Sequence, residues 1–365
     1  MAFSKLAFVS LSVKLSIVVW GVVAPIQLAV QATENHFVTV PVYFATSREY
    51  DSDKAAYKGT RSPEHKDHGI EYGIVTTTVA MPKETDSKAF SIPNLEEKET
   101  TKSSKKQKAH ILKLTREEFY KRLKESNQGT SFEETCLFIH GYNNTFEAAA
   151  KSAARLEVAL KEPVVLFSWP SAAKTKNYTV DECNAEWSER PFQIFVQNLE
   201  ESIGCQHLMT VSHSMSNRLI NWYMQSRFDK NMGKPAHFRE IVLTSPDIDR
   251  ATFKNYFYKV ANNSDKVRLY ISDKDTPLRL SKFIHGSART GAGLAAGEKV
   301  WSMPGNITPT QTVNFTAVDD SSIGHSIQYD LIGRMHRECT PGKGLTLIPD
   351  SQFKGDYVRV SKIKN

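Results

Sequence analysis

Residues 207–218, His-Leu-Met-Thr-Val-Ser-His-Ser-Met-Ser-Asn-Arg, run as a short apolar stretch that stops on a serine between small residues and resumes in a helix-forming pattern. No other part of the chain restricts the fold as much. A serine at a sharp strand-to-helix turn is held in a strained backbone conformation, and bulk two residues away on either side would collide with it. The string therefore predicts a strand, a nucleophile elbow centred on Ser214, and a helix from about Asn217. Ser212 and Ser216 stand where glycine is usual, and serine tolerates unusual backbone angles less well. A serine-rich strand end that only caps a helix is the alternative reading.

The surrounding order narrows the choice. Upstream, the apolar run Thr135 to Ile139 opens into His140-Gly141-Tyr142-Asn143, as a buried strand opens into a tight loop. In a serine hydrolase such a loop supplies a backbone N–H to an oxyanion, here from Tyr142 or Asn143, and the N–H of Met215 supplies the second. Downstream, Val267 to Ile271 leads to Asp273 and Asp275, and the alternating stretch Thr312 to Val318 leads to His325. Of the eleven histidines, His325 alone follows the last predicted strand on a short loop. The order Ser, Asp, His belongs to the α/β-hydrolase fold and not to the chymotrypsin or subtilisin scaffolds.

Further strings carry a family resemblance. Val-Pro-Val-Tyr-Phe-Ala-Thr-Ser-Arg at 40–48, Tyr-Gly-Ile-Val at 72–75, Phe-Ile-His-Gly-Tyr-Asn-Asn-Thr-Phe at 138–146, Leu-Phe-Ser-Trp-Pro-Ser at 166–171, Ser-Pro-Asp-Ile-Asp at 245–249 and Gly-His-Ser at 324–326 join the elbow and the 273–281 segment. Together, from about residue 37 to 337, they resemble a bacterial α/β-hydrolase family of unknown function. The resemblance implies that fold and a triad but no substrate, and the family's elbow normally reads Gly-His-Ser-Met-Gly. It points to Asp275 as the acid beside nucleophile Ser214 and base His325. On composition alone Asp273, Asp247 and Asp249 could equally cap turns or helices. His140, Gly141 and His213 are expected to support the backbone around the elbow, and His65, His68 and His336 to be surface or helix residues.

Alternating strands and helices predict a mostly parallel sheet flanked by helices. Strands are expected near 37–46, 70–81, 135–140, 163–168, 238–244, 267–271 and 312–318. Helices are expected near 145–160, 185–202, 217–227, 250–262 and 325–337, with another from the capping box Thr115-Arg-Glu-Glu118 to about Ser126. Residues 83–108 read as a charged surface loop. Residues 171–190 read as a pocket-side lid or wall, and 283–303, rich in glycine, as a flexible pocket-side loop.

Residues 1–32 combine Lys5 and Lys14 with an apolar core and end in Val30-Gln31-Ala32, the pattern of a secretory leader cut after Ala32. Residues 33–365 are then one exported α/β-hydrolase domain, periplasmic or secreted, with no further membrane-spanning stretch. In an oxidising compartment Cys136, Cys183, Cys205 and Cys339 allow disulfides, with Cys136 and Cys205 a candidate pair across neighbouring strands. The net charge of +7 falls to +5 without Lys5 and Lys14. Much of it lies in Lys102 to Lys108 and in Arg359, Lys362 and Lys364, expected as solvated loop and tail.

No phosphate-binding or dinucleotide motif, no zinc spacing and no aromatic-basic platform is present, so neither cofactor, metal nor nucleic acid is expected. The expectation is a serine hydrolase acting on a small-molecule or lipid-like acyl substrate through an acyl-enzyme. The alternatives are an amidase or peptidase on the same triad, or a non-catalytic secreted binding protein on a hydrolase scaffold.

Overall fold

The computed structural model describes residues 37–63, 67–80, 110–128, 135–204, 206, 208–229, 236–293, 310–349 and 356–363. The expected leader, the 83–108 loop, His65, Cys205 and residues 294–303 of the glycine-rich segment lie outside them.

From β6 (Thr135–Ile139) onward, helices carry the chain back between parallel strands: α2 (Phe146–Leu160), β7 (Val164–Ser168), α3 (Tyr178–Trp187), α4 (Glu189–Ile203), β8 (Leu208–His213), α5 (Asn217–Asp229), β9 (Glu240–Thr244), α6 (Arg250–Ala261), β10 (Val267–Ile271), α7 (Thr276–His285), β11 (Thr310–Asn314), α8 (Tyr329–Glu338), β12 (Leu345–Pro349) and β13 (Asp356–Lys362). The amino-terminal part supplies β1 (Phe37–Thr46), β2 (Arg48–Asp51), β3 (Ala56–Arg61), β4 (Glu71–Ala80), β5 (His110–Leu114) and α1 (Arg116–Gln128). Eleven strands form one sheet in the order β12-β13-β11-β10-β9-β8-β6-β7-β1-β4-β5. The eight from β13 to β1 are parallel, while β12, β4 and β5 pair antiparallel at the edges.

The central strands are short and buried on both faces, as parallel strands covered by helices must be. Alternate residues feed two cores. Leu137, Ile139, Val165 and Phe167 point to one that includes Phe119, Phe192, Phe195 and Tyr223. Cys136, Phe138, Val164 and Leu166 point to the other, filled by the alanines of α2 with Leu331, Ile332 and Met335 of α8. Among the described residues no helix is long and apolar enough to cross a membrane.

Several elements depart from expectation. The helix expected over 185–202 is two helices that meet at Ser188. Pro191 explains the break, because proline is tolerated only in a helix's first turn, where its missing N–H costs nothing. The hairpin β2–β3, the edge strands β5 and β12, and β13 beside β12 have no strong apolar alternation and were not foreseen. Arg359 and Lys362, expected in a solvated tail, lie on β13 within the sheet. The first part of the glycine-rich segment belongs to α7, and Arg289 to Gly291 beyond it are buried. A Cβ at Gly291 would lie 2.3 Å from the Ser245 carbonyl carbon, so this glycine permits close approach and not the expected flexibility. Cys136 is a free, buried thiol, so the Cys136–Cys205 bond is not formed. Cys183 and Cys339 are free and exposed.

Candidate active site

The carboxyl ends of β6, β8 and β10 carry the residues singled out in the sequence. Ser214 follows β8 directly, with φ +56°, and begins a single 3-10 turn that runs into α5. A left-handed serine at a strand-to-helix junction is the elbow expected there. Ser212 and Ser216 do not share the positive φ, so no backbone strain requires glycine at either. Their hydroxyls are built into the turn instead. Ser216 Oγ donates to the Ile139 carbonyl at 2.9 Å and accepts from the His213 N–H at 2.9 Å, and Ser212 Oγ donates to Asn217 Oδ1 at 2.7 Å.

Gly141 brings the loop after β6 against this turn. A Cβ there would lie 2.7 Å from His213 Nδ1 and 3.1 Å from Ser214 Cβ, a space that only glycine leaves open. The structure separates the two oxyanion-donor candidates on this loop. The Asn143 N–H is taken up by Asp181 Oδ2 at 3.3 Å, whereas the Tyr142 N–H has no hydrogen-bond partner among the described residues. The Met215 N–H belongs to the first turn of a helical segment, where amides lack intrahelical partners.

Asp275 is fully buried and caps α7, accepting the Leu278 N–H at 2.9 Å through Oδ1. Its Oδ2 meets His325 Nδ1 at 2.6 Å. His325 lies on the loop before α8, not in the helix predicted to start there. His213 Nε2 ties that loop to the elbow, reaching the His325 carbonyl at 3.0 Å, and buried Asp319 braces the loop from within, taking Ser326 Oγ at 3.0 Å and the Ser321 N–H at 2.9 Å. Ser214 Oγ and His325 Nε2 make no hydrogen bond to any described residue.

The other aspartates have different partners. Asp273 is bound by Asn314 Nδ2 at 3.0 Å and Arg359 at 2.9 Å. Asp249 caps α6 through the Thr252 N–H at 2.7 Å. Asp247 anchors a buried network in which Tyr178 and Ser281 donate to its carboxylate and Arg289 approaches to 3.2 Å. The 171–190 segment is thereby latched to the body, with Glu182 of α3 adding Arg218 and His285, each at 2.7 Å.

Two supports, Arg48 and Asp181, carry no obvious local signal in the sequence. Arg48 is fully buried and donates to Ser168 Oγ and to the carbonyls of Lys58, Ser171 and Asn144, and its guanidinium lies 3.2 Å from His140 Nε2. Burial pulls its pKa down to about 9, against the pull of Asp181 and Glu147. Burial, with Arg48 second, drives the His140 imidazole down to about 3, so this histidine is neutral as it stacks on Trp169 at 5.1 Å. Asp181 also binds Ser171 Oγ at 2.5 Å and the Ala172 N–H at 2.6 Å, tying α3 to the loop after β7. Arg48 sits in one of the strings noted above, and only its presence there marked it. His336, expected at the surface or on a helix, is on α8 but buried between Glu162 and Glu240.

Among the described residues no group of three or more His, Cys, Asp or Glu is placed to hold a metal ion. A family profile described as an alpha/beta hydrolase of unknown function (DUF900) matches residues 97–330, a span that contains Ser214, Asp275 and His325. No curated protein matches the chain significantly.

Proposed function

The chain belongs to the alpha/beta hydrolases of unknown function, DUF900, and from that membership we propose that it is a serine hydrolase cleaving a carboxylic ester or related acyl bond through an acyl-enzyme. The observation that carries the reading is the left-handed Ser214 at the end of β8, placed on one elbow with the loops of Gly141 and His325. Ser214 Oγ attacks the substrate carbonyl carbon as its proton passes to His325 Nε2. Asp275 holds the Nδ1–H, fixing the tautomer and stabilising the imidazolium. The N–H groups of Tyr142 and Met215 receive the oxyanion. Collapse expels the alcohol, protonated by His325, and water then releases the acid by the same steps.

The binding-protein alternative drew its support from the missing elbow glycines. With Ser212 and Ser216 in ordinary backbone conformations that support falls away. Incubating the protein with a fluorophosphonate and locating the labelled peptide by mass tests the reading. Labelling confined to Ser214 and absent from Ser214→Ala is expected, and a folded protein that stays unlabelled would overturn it. Export follows as a second proposal from the apolar segment before Ala32. Amino-terminal sequencing of protein recovered outside the cytoplasm is expected to begin at Thr33.

A further inference from the structure

Helix α7 carries its apolar side chains on the wrong side for a soluble domain. Leu278 and Ser281 face the body, while Leu280, Phe283 and Ile284, spaced as one helical face, point outward. Phe283 is 85% exposed and Leu280 58%. Scattered exposed residues need no explanation, but a contiguous set of large ones does. The patch continues onto the loop of His325, where Ile323 is also exposed and its carbonyl accepts the Thr276 N–H at 2.8 Å. Helix α3, bound to α7 through Tyr178–Ser281 and Glu182–His285, exposes Val180.

On α7 and on the loop before α3 the exposed charges are cations, while the carboxylates nearby, Asp273, Asp320 and Glu182, are paired with Arg359, Lys362 and Arg218. Lys274, Arg279 and Lys282 are exposed and make no ion pair with described residues, and the same holds for Lys174 and Lys176 on the loop before α3. A helix with large apolar groups on one face and cations at its margin is built to lie in the surface of a lipid layer, and cations without acid partners favour an anionic one. A second copy of the chain fits less well, because a self-complementary contact would bring these cations against each other. We propose that α7, with Ile323 and Val180, docks the protein on an anionic lipid surface. Since Asp275 caps α7 and Ile323 lies two residues before His325, docking sets the reacting residues at that surface. The acyl substrate is then one presented by lipid. This last step rests on the hydrolase reading, while the docking itself does not.

Flotation of the full chain with phosphatidylcholine vesicles, with and without phosphatidylglycerol, tests the docking. Binding is expected to need the anionic lipid, to weaken with salt, and to fall roughly tenfold or more in a Leu280→Ser, Phe283→Ser double variant. Both sites are exposed, so folding is retained. Phe283→Trp reports on the site itself, whatever the apolar amino-terminal stretch contributes. Its added fluorescence is expected to be quenched by brominated lipid. Ser214→Ala is expected to float like the unaltered chain, which separates docking from catalysis. Absence of quenching at Trp in Phe283→Trp, equal flotation of the double variant, or self-association that the double variant abolishes would each overturn the proposal.

Discussion

Two buried polar assemblies lie at opposite ends of the same strands and are finished differently. At the amino end, Glu240 opens β9 and Arg268 lies near the start of β10. The two form a buried ion pair, with His336 Nδ1 at 2.6 Å from Glu240 and Glu162 at 3.0 Å from His336 Nε2. At the carboxyl end, Asp275 and His325 form an equally short pair, yet Ser214 Oγ and His325 Nε2 stay open. The closed assembly has exhausted its valence on itself and serves packing. The open one keeps unspent hydrogen-bonding atoms on a strained serine, the arrangement expected of a site that must receive something.

The largest effect should separate neighbouring carboxylates. Asp275→Asn retains a good helix cap but presents the wrong hydrogen-bonding group to His325, so turnover should fall roughly ten-thousand-fold while the melting curve moves little. Asp273→Asn, two residues away, should leave turnover nearly intact. Steady-state kinetics with an activated acyl ester decide between them, and equal losses would erase the contrast. At the closed end the expectation reverses. Glu240→Ala strands Arg268 and His336 in the interior, and denaturant titration should show about 3–5 kcal/mol lost. Turnover per folded molecule should hold.

Arg48 is the intermediate case, because it supports the open site from within. Arg48→Lys keeps a charge but loses the fork that spans Ser168, Ser171 and Asn144. We expect kcat to drop roughly a hundredfold through the displaced Gly141 loop. KM should change little, and a loss seen only in stability would assign Arg48 to packing.

What the sequence revealed follows the same division. The central parallel strands were legible because each is a short, largely apolar run, and the elbow, oxyanion loop and His325 because strand ends expose them in order. Arg48 and Asp181 were not legible, since nothing local distinguishes a buried arginine from a surface one when its partners lie between about 10 and 120 residues away. The edge strand β5 and hairpin β2–β3 were missed because their pairing, not their apolar pattern, makes them strands. Helix α7 was hidden for the opposite reason, its apolar residues facing outward.

Acid should expose the buried histidines. The folded chain keeps His140 neutral down to about pH 3, whereas the unfolded chain protonates it near the ordinary value of 6.5. The unfolded state therefore gains a proton first, and stability falls by about 1.4 kcal/mol per pH unit between those values. His213 is pushed the same way by burial and by His325. For His336, burial is outweighed by Glu162 and Glu240, so its pKa is raised and its contribution is full at low pH and lost as pH rises through that elevated value. Urea titrations should show a shallower acid slope in His140→Gln, and an unchanged slope would mean that His140 is not the group titrating.

The smallest effect bears on the elbow itself. Glycine at position 216 would restore the family's usual residue, and if serine there strained the turn, Ser216→Gly should raise both turnover and stability. The hydrogen bonds argue the other way. Ser216 Oγ joins the carbonyl at the end of β6 to the N–H of His213, spanning the two strands whose ends form the site. Losing them should cost about 1 kcal/mol, with a further contribution from the freer unfolded chain. Turnover should fall modestly or stay level, because Ser214 keeps its own φ whichever residue follows two places on. A faster, more stable Ser216→Gly would mean that the serine is a burden the site tolerates and not a replacement that ties its two halves together.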